Sequence, residues 1–142
     1  MLRRVVLDTS VTVAALRTRH GAANRVLRLV ASRRLVLLAT PPLFLEYEEV
    51  LRRPEQRLVH GLTPGAIDEF LAELAALVEP VDIHFLWRPQ MGDPSDEMVL
   101  EAAINGRPDA LVTYNVKHFA TPGNRFGIPV LRPVDVLGKV RR

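Results

Sequence analysis

The sequence predicts an α/β domain built on a mainly parallel sheet. Two observations carry that prediction. Short apolar runs of strand length alternate with longer stretches whose apolar residues recur at helical spacing. Glycine and proline punctuate the boundaries between them. The chain of 142 residues, 48% hydrophobic and 25% charged, suits one domain over residues 1–142. A domain of that size buries about 68–70% of its unfolded surface, enough for a core without metal or disulfide staples.

The elements follow in order. Arg4–Asp8 (RVVLD) is an apolar run ending in an acid and reads as a buried strand. Val11–Arg17 and Ala22–Ser32 have helical spacing, with Val26, Leu27 and Val30 on one face, and Gly21 separates them. Arg34–Thr40 is a second buried strand. Pro41-Pro42 opens a helix to about Arg53, because a first-turn amide has no intrahelical partner to lose, and Pro54 closes it. Thr63-Pro64 is an N-cap followed by a first-turn proline. Phe70, Leu71, Leu74, Leu77 and Val78 then mark a helix to Val78. Pro80–Phe85 alternates like a strand. Ser95–Asn105 is amphipathic, with Ser95 as N-cap, Met98, Val99, Ala102 and Ala103 inward, and Gly106 and Pro108 at its end. Ala110–Thr113 and Gly127–Leu131 are the last strands, and Pro133–Val140 makes a final helical turn or two. Strands alternating with helices give the parallel sheet.

Composition excludes several kinds of chemistry. There is no cysteine, so disulfides, thiolate nucleophiles and cysteine–zinc sites are ruled out. No run approaches the roughly 18 apolar residues that span a bilayer, and the apolar part of MLRRVVLDTS is too short for an export signal. The expected location is the cytoplasm, away from membranes. Net charge is +3, and 17 of the 19 basic residues are arginine. Arginine grips phosphate through a planar fork of donors, so the surface suits nucleic acid; genomic base composition explains the bias equally well.

The informative residues are carboxylates. In open α/β sheets ligands gather outside the carboxyl ends of the strands. Asp8, Thr9 and Ser10 follow the first strand there, and Asp8 stands against VVL at a helix start. Glu46 lies beside the face formed by Leu43, Tyr47, Val50 and Leu51. Asp93 and Asp96 bracket a helix start, Asp96 on the side of Val99 and Ala103 and Asp93 more exposed. Thr113, Tyr114 and Asn115 end the fourth strand. Each acid has an ordinary explanation as a turn, boundary or capping residue. Together, three carboxylates at one end of a sheet repel one another unless a cation compensates. A hard divalent ion such as Mg²⁺ takes oxygen ligands and keeps waters. It activates water and stabilises a reacting phosphoryl group, which points to phosphodiester hydrolysis.

The histidines add little. His20, His60, His84 and His118 have no ligand spacing; His84 reads as a packed or edge residue, and His118, near the proposed site, as a phosphate contact or, more simply, a cap on a short helix. No phosphate-binding glycine motif and no nucleophile elbow occurs.

The segments VVLDTSVTVAAL, LFLEYEEVLRRPE, DPSDEMVLEAA and DALVTYNVKHF, in that order, resemble a PIN domain from Val5 to about Leu137. More narrowly they resemble the VapC-like toxins of bacterial toxin–antitoxin systems. The resemblance implies a three-layer α/β/α fold and a Mg²⁺- or Mn²⁺-dependent ribonuclease site, with Asp8, Glu46 and Asp96 as metal-binding acids. The position of a fourth family acid is Asn115, an amide that puts a second metal in doubt but still suits orienting water or a phosphate oxygen. Thr9, Ser10, Asp93 and Thr113 are then supporting or phosphate-contacting residues. Arg17, Arg19 and Arg25 are candidates for holding the RNA backbone. The implied partners are RNA, a small antitoxin and a second copy of the chain. Two other readings stand beside this one. A PIN-fold binding module with little catalysis is supported by Asn115. A haloacid-dehalogenase-like phosphatase needs an acid two residues after Asp8, where the chain has Ser10.

Overall fold

In the computed structural model, which describes residues 2–86 and 90–140, the apolar runs become a five-stranded sheet. The strands are β1 (Arg4–Leu7), β2 (Val36–Ala39), β3 (Val78–Pro80), β4 (Ala110–Val112) and β5 (Val130–Leu131). Their order is β3-β2-β1-β4-β5 and every pairing is parallel. Val5, Val6, Leu7, Leu37, Leu38, Leu111 and Val112 are wholly buried. Parallel strands covered on both faces read as continuous apolar runs for this reason. Val5 pairs with Leu37 on one side and Ala110 on the other, so β1 is central.

Eight helices flank the sheet among the described residues: α1 (Thr9–Arg17), α2 (Ala22–Ala31), α3 (Pro41–Leu51), α4 (Pro54–His60), α5 (Pro64–Leu77), α6 (Pro94–Gly106), α7 (Val116–Arg125) and α8 (Pro133–Leu137). From β1 the chain steps to β2 and β3, then crosses back to β4 and β5. Right-handed crossovers in opposite directions put their helices on opposite faces, which gives the three layers. None of these helices is long and apolar enough to cross a membrane.

Several expectations need correction. Pro54 opens α4 as well as ending the preceding helix: Arg53 turns extended, and Gly61 closes the new helix in the left-handed region at φ 68°. The expected strand Pro80–Phe85 is paired only at its start. Its partner β2 ends at Ala39, whose carbonyl takes the Val81 amide at 2.9 Å, and the chain there has already turned into α3. Asn105 of α6 then replaces the missing strand. Its Oδ1 accepts the His84 and Phe85 amides at 2.7 and 2.8 Å, and its Nδ2 donates to the Phe85 carbonyl at 3.0 Å. His84 is therefore exposed instead of packed. The cap of α6 is Asp93, not Ser95, because Pro94 takes the first helical position and Asp93 Oδ1 accepts the Ser95 amide at 2.7 Å.

Helix α7 is longer than the cap read around His118. It contains Pro122 and Gly123, both poor helix formers. A Cβ on Gly123 would stand 2.7 Å from Val130 Cγ2 and 3.0 Å from the Ile128 carbonyl oxygen, so close approach to β5 decides that residue.

At the amino end of the sheet, Asp109 Oδ2 accepts the Arg3 and Arg4 amides at 2.9 and 2.8 Å. These bonds hold its carboxyl below the ordinary aspartate range. A depressed folded pKa adds stability above the unfolded value of about 4, and that stability is lost as pH falls through the folded value. In urea titrations, native protein should exceed Asp109→Asn in midpoint at neutral pH, and the gap should shrink below about pH 4. A gap that stays constant down to acid pH would contradict this role.

Candidate active site

The sheet order reverses between β1 and β4, and in open α/β sheets ligands bind outside the carboxyl ends of the strands at such a reversal. Asp8, the N-cap of α1, lies there with 5% of its surface exposed. Its Oδ2 accepts two hydroxyls, from Ser10 and from Thr113, each at 2.7 Å. Thr113 is fully buried, and its Oγ1 also accepts the Asn115 amide at 2.9 Å. Ser10 Oγ accepts the Tyr114 amide at 3.3 Å. The ends of β1 and β4 are thus tied together through one carboxylate. Ser10 donates to Asp8, so it does not supply the leaving-group acid that the phosphatase reading requires.

Glu46 comes from α3. The face carrying Leu43, Tyr47, Val50 and Leu51 is buried as expected, and Glu46 is buried with it at 6% exposure. Its Oε1 accepts the Ser95 hydroxyl at 2.8 Å, which links α3 to the first turn of α6. Asp96 is one residue further along that turn and half-buried. Burial first, then the charges of Asp8 and Asp93, raise its carboxyl above the ordinary range; His118 opposes them. His118 Nδ1 stands 3.4 Å from Asp96 Oδ2. Asp8, Glu46 and Asp96 are therefore brought to one end of the sheet and connected through Ser95 and through the charge coupling of Asp8 with Asp96.

The other candidates are placed differently. Asn115 is the N-cap of α7, exposed, with no capping bond from its side chain. Asp93 is exposed and occupied by its capping bond. The Thr9 hydroxyl is buried without a hydrogen-bond partner among the described residues. Arg17 donates to Gln56 of α4 at 3.0 Å, and Arg19 and Arg25 are exposed.

Two side-chain roles at the site were not read from the sequence. His118 sits at the third position of α7, and only the packing of α7 beside α6 brings it to Asp96. Tyr47, recognised there as apolar packing, donates its hydroxyl to the Leu7 carbonyl directly before Asp8. Burial, and then the charge of Asp8, raise the Tyr47 phenol well above its ordinary pKa, so it remains a donor.

A divalent cation fits the donor set. One oxygen of each carboxylate is engaged, while Asp8 Oδ1, Glu46 Oε2 and Asp96 Oδ1 receive no hydrogen bond from the described residues. Three oxygen-only donors of like charge are the ligands hard cations take. In this conformation no group of three acidic or imidazole side chains among the described residues is close enough to hold an ion by itself. Mg²⁺ is commonly held by one or two carboxylates and keeps several waters, which would complete such a shell.

Thr113 gives a direct test of this arrangement. Thr113→Val keeps the shape but removes the hydroxyl that fixes Asp8. Supporting residues of this kind are typically worth about 10- to 100-fold in metal affinity or activity. Thr113→Val should lower Mn²⁺ affinity by about that factor, and Thr113→Ser should restore most of it. Equal affinity in all three proteins would show that the hydroxyl does not orient Asp8.

Residues 4–117 match the family model described as PIN domain. No curated protein matches the chain.

Proposed function

The chain belongs to the PIN-domain family, whose members are generally nucleases, and from that premise we propose that it is a Mg²⁺- or Mn²⁺-dependent endoribonuclease. Its role in this reading is that of a toxin held in check by a small antitoxin. The supporting observation is that Asp8, Glu46 and Asp96 share the carboxyl end of the sheet at its reversal, each with one oxygen engaged and the other without a hydrogen bond from the described residues. Asp8 and Asp96 would hold the ion, with Glu46 completing the shell directly or through water. A bound ion of this kind lowers the pKa of its water and steadies charge on a reacting phosphoryl group.

The chain's own residues do the positioning. Ser10 and Thr113 hold Asp8 Oδ2, and Oδ1 receives no hydrogen bond from the described residues. Ser95 orients Glu46. His118 holds Asp96 Oδ2, and the neighbouring Lys117 is an exposed cation for a phosphate at the start of α7. The scissile phosphate of RNA would lie beside the cation that these carboxylates would hold, since the carboxylates alone would repel it. The competing reading, a binding module with little or no catalysis, draws on Asn115, an amide at the fourth-acid position whose side chain makes no capping bond.

Cleavage of single-stranded and structured RNAs with Mg²⁺ or Mn²⁺, stopped by chelator and restored by added metal, is the expected result. Binding without metal-dependent cleavage would favour the module. A gene for a small DNA-binding protein next to this one, and inhibition of cleavage by its product, would support the toxin role. Full cleavage in the presence of that product would remove it.

A further inference from the structure

The other end of the sheet carries the opposite charge. Because all five strands are parallel, the residues entering β1, β2 and β4 share one end, away from the carboxylates. Arg3 enters β1, Arg33 and Arg34 enter β2, and Arg107 enters β4. Lys139 lies beside them, its carbonyl accepting the Leu2 amide at 3.2 Å. All five cations are exposed, and none makes an ion pair among the described residues. Arg4 is paired with Glu79 at 2.9 Å, and Asp109 is occupied by the amides of Arg3 and Arg4.

The backbone supplies a second observation. Arg33 and Arg107 are the non-glycine residues with positive φ among the described residues, at 62° and 49°. Both follow helix ends, and both precede a strand that flanks β1. Glycine adopts this conformation freely, and the chain uses Gly61 and Gly127 where α4 and α7 end. At the two positions beside the central strand it uses arginine instead. Favourable interaction of a cation with a helix carboxyl end accounts for part of that choice. It does not account for Arg3, Arg34 and Lys139 gathering at the same place without carboxylate partners.

We propose that this amino-end face, centred on Arg33 and Arg107, binds the phosphate backbone of a single RNA strand that also reaches the carboxyl end of the sheet. It rests on the nuclease reading only in taking RNA as the polyanion. Exposed arginine forks suit phosphate oxygens. A second contact of this kind strengthens binding of a long strand through effective concentration and does nothing for a fragment too short to reach both ends.

The test uses the full chain carrying Asp8→Asn, so that RNA is bound and not consumed. Glycine relaxes the backbone at both positions, so Arg33→Gly with Arg107→Gly should unfold at the same or a higher temperature than its parent. The double variant should bind a long single strand more weakly. Its plot of log affinity against log salt should be shallower by about 1.4, the loss of two single-strand phosphate contacts. Binding of a short oligonucleotide should not change. Arg33→Lys with Arg107→Lys should retain most of the slope, and Arg57→Gln on α4 should leave it unaltered. Equal slopes in the parent and the glycine variant would overturn the proposal, as would an equal loss from Arg57→Gln. Cleavage of the short oligonucleotide by protein with native Asp8 reports on the nuclease reading alone. Its absence, with arginine-dependent binding intact, would defeat that reading and leave this one standing.

Discussion

Asp8→Asn should reduce metal-dependent RNA cleavage by about a thousandfold or more and leave the fold in place. The two halves of that expectation have separate causes. The amide oxygen of asparagine still accepts the hydroxyls of Ser10 and Thr113, so the bonds joining the ends of β1 and β4 survive. What disappears is the negative charge nearest the reversal of the sheet, which a hard cation needs to bind there. Single-turnover cleavage at saturating RNA measures the loss, and a urea titration checks the fold. Asp96→Asn should act in the same direction. Full activity in both variants would place the chemistry elsewhere. Loss of activity together with a large fall in the urea midpoint would mean that Asp8 acts as a structural link between β1 and β4.

The largest stability effect is expected at Phe119. Its ring, on the inner face of α7, is wholly buried among core residues. Phe119→Ala removes that volume and leaves a cavity, which typically costs about 3–5 kcal/mol. Domain stabilities run about 5–15 kcal/mol, so the variant should be poorly folded at physiological temperature. The same truncation at Leu58 on α4, where the side chain is 87% exposed, should change stability by no more than about 0.5 kcal/mol. Urea midpoints with unchanged slopes would measure both. Similar losses at the two positions would contradict the packing of α7 against the sheet. Because His118 precedes Phe119, the destabilised variant should also lose metal affinity through a displaced Asp96 partner.

Much of the site was legible before the fold. Asp8 was visible because an acid directly after VVL must sit where a buried strand emerges. Glu46 was visible because its spacing from Leu43 and Val50 puts it at the edge of a packed face. Asp96 had the same relation to Val99 and Ala103. The supporting groups were harder to see. Thr113 was recognised as a candidate, but its role as donor to Asp8 and acceptor from Asn115 depends on two strands becoming neighbours. Ser95 was read as a cap, and its hydroxyl instead serves Glu46, because Pro94 moved the cap to Asp93. His118 was read as a helix cap, since nothing around NVKHF indicates that α7 lies against α6.

The sequence by itself determined four of the five strands, which helical faces turn inward, most helix starts, and the acids that emerge at strand ends. These follow from period, propensity and capping, which act over a few residues. Only the tertiary structure decided that β1 lies between β2 and β4, that Asp8 meets Thr113 across 105 residues, that Glu46 meets Ser95, and that Arg3, Arg33, Arg34 and Arg107 share the far end. Local periodicity specifies that a strand is buried, but it carries no information about which strand lies beside it. Parallel neighbours are joined through long crossovers, so their order is settled only when the whole core packs.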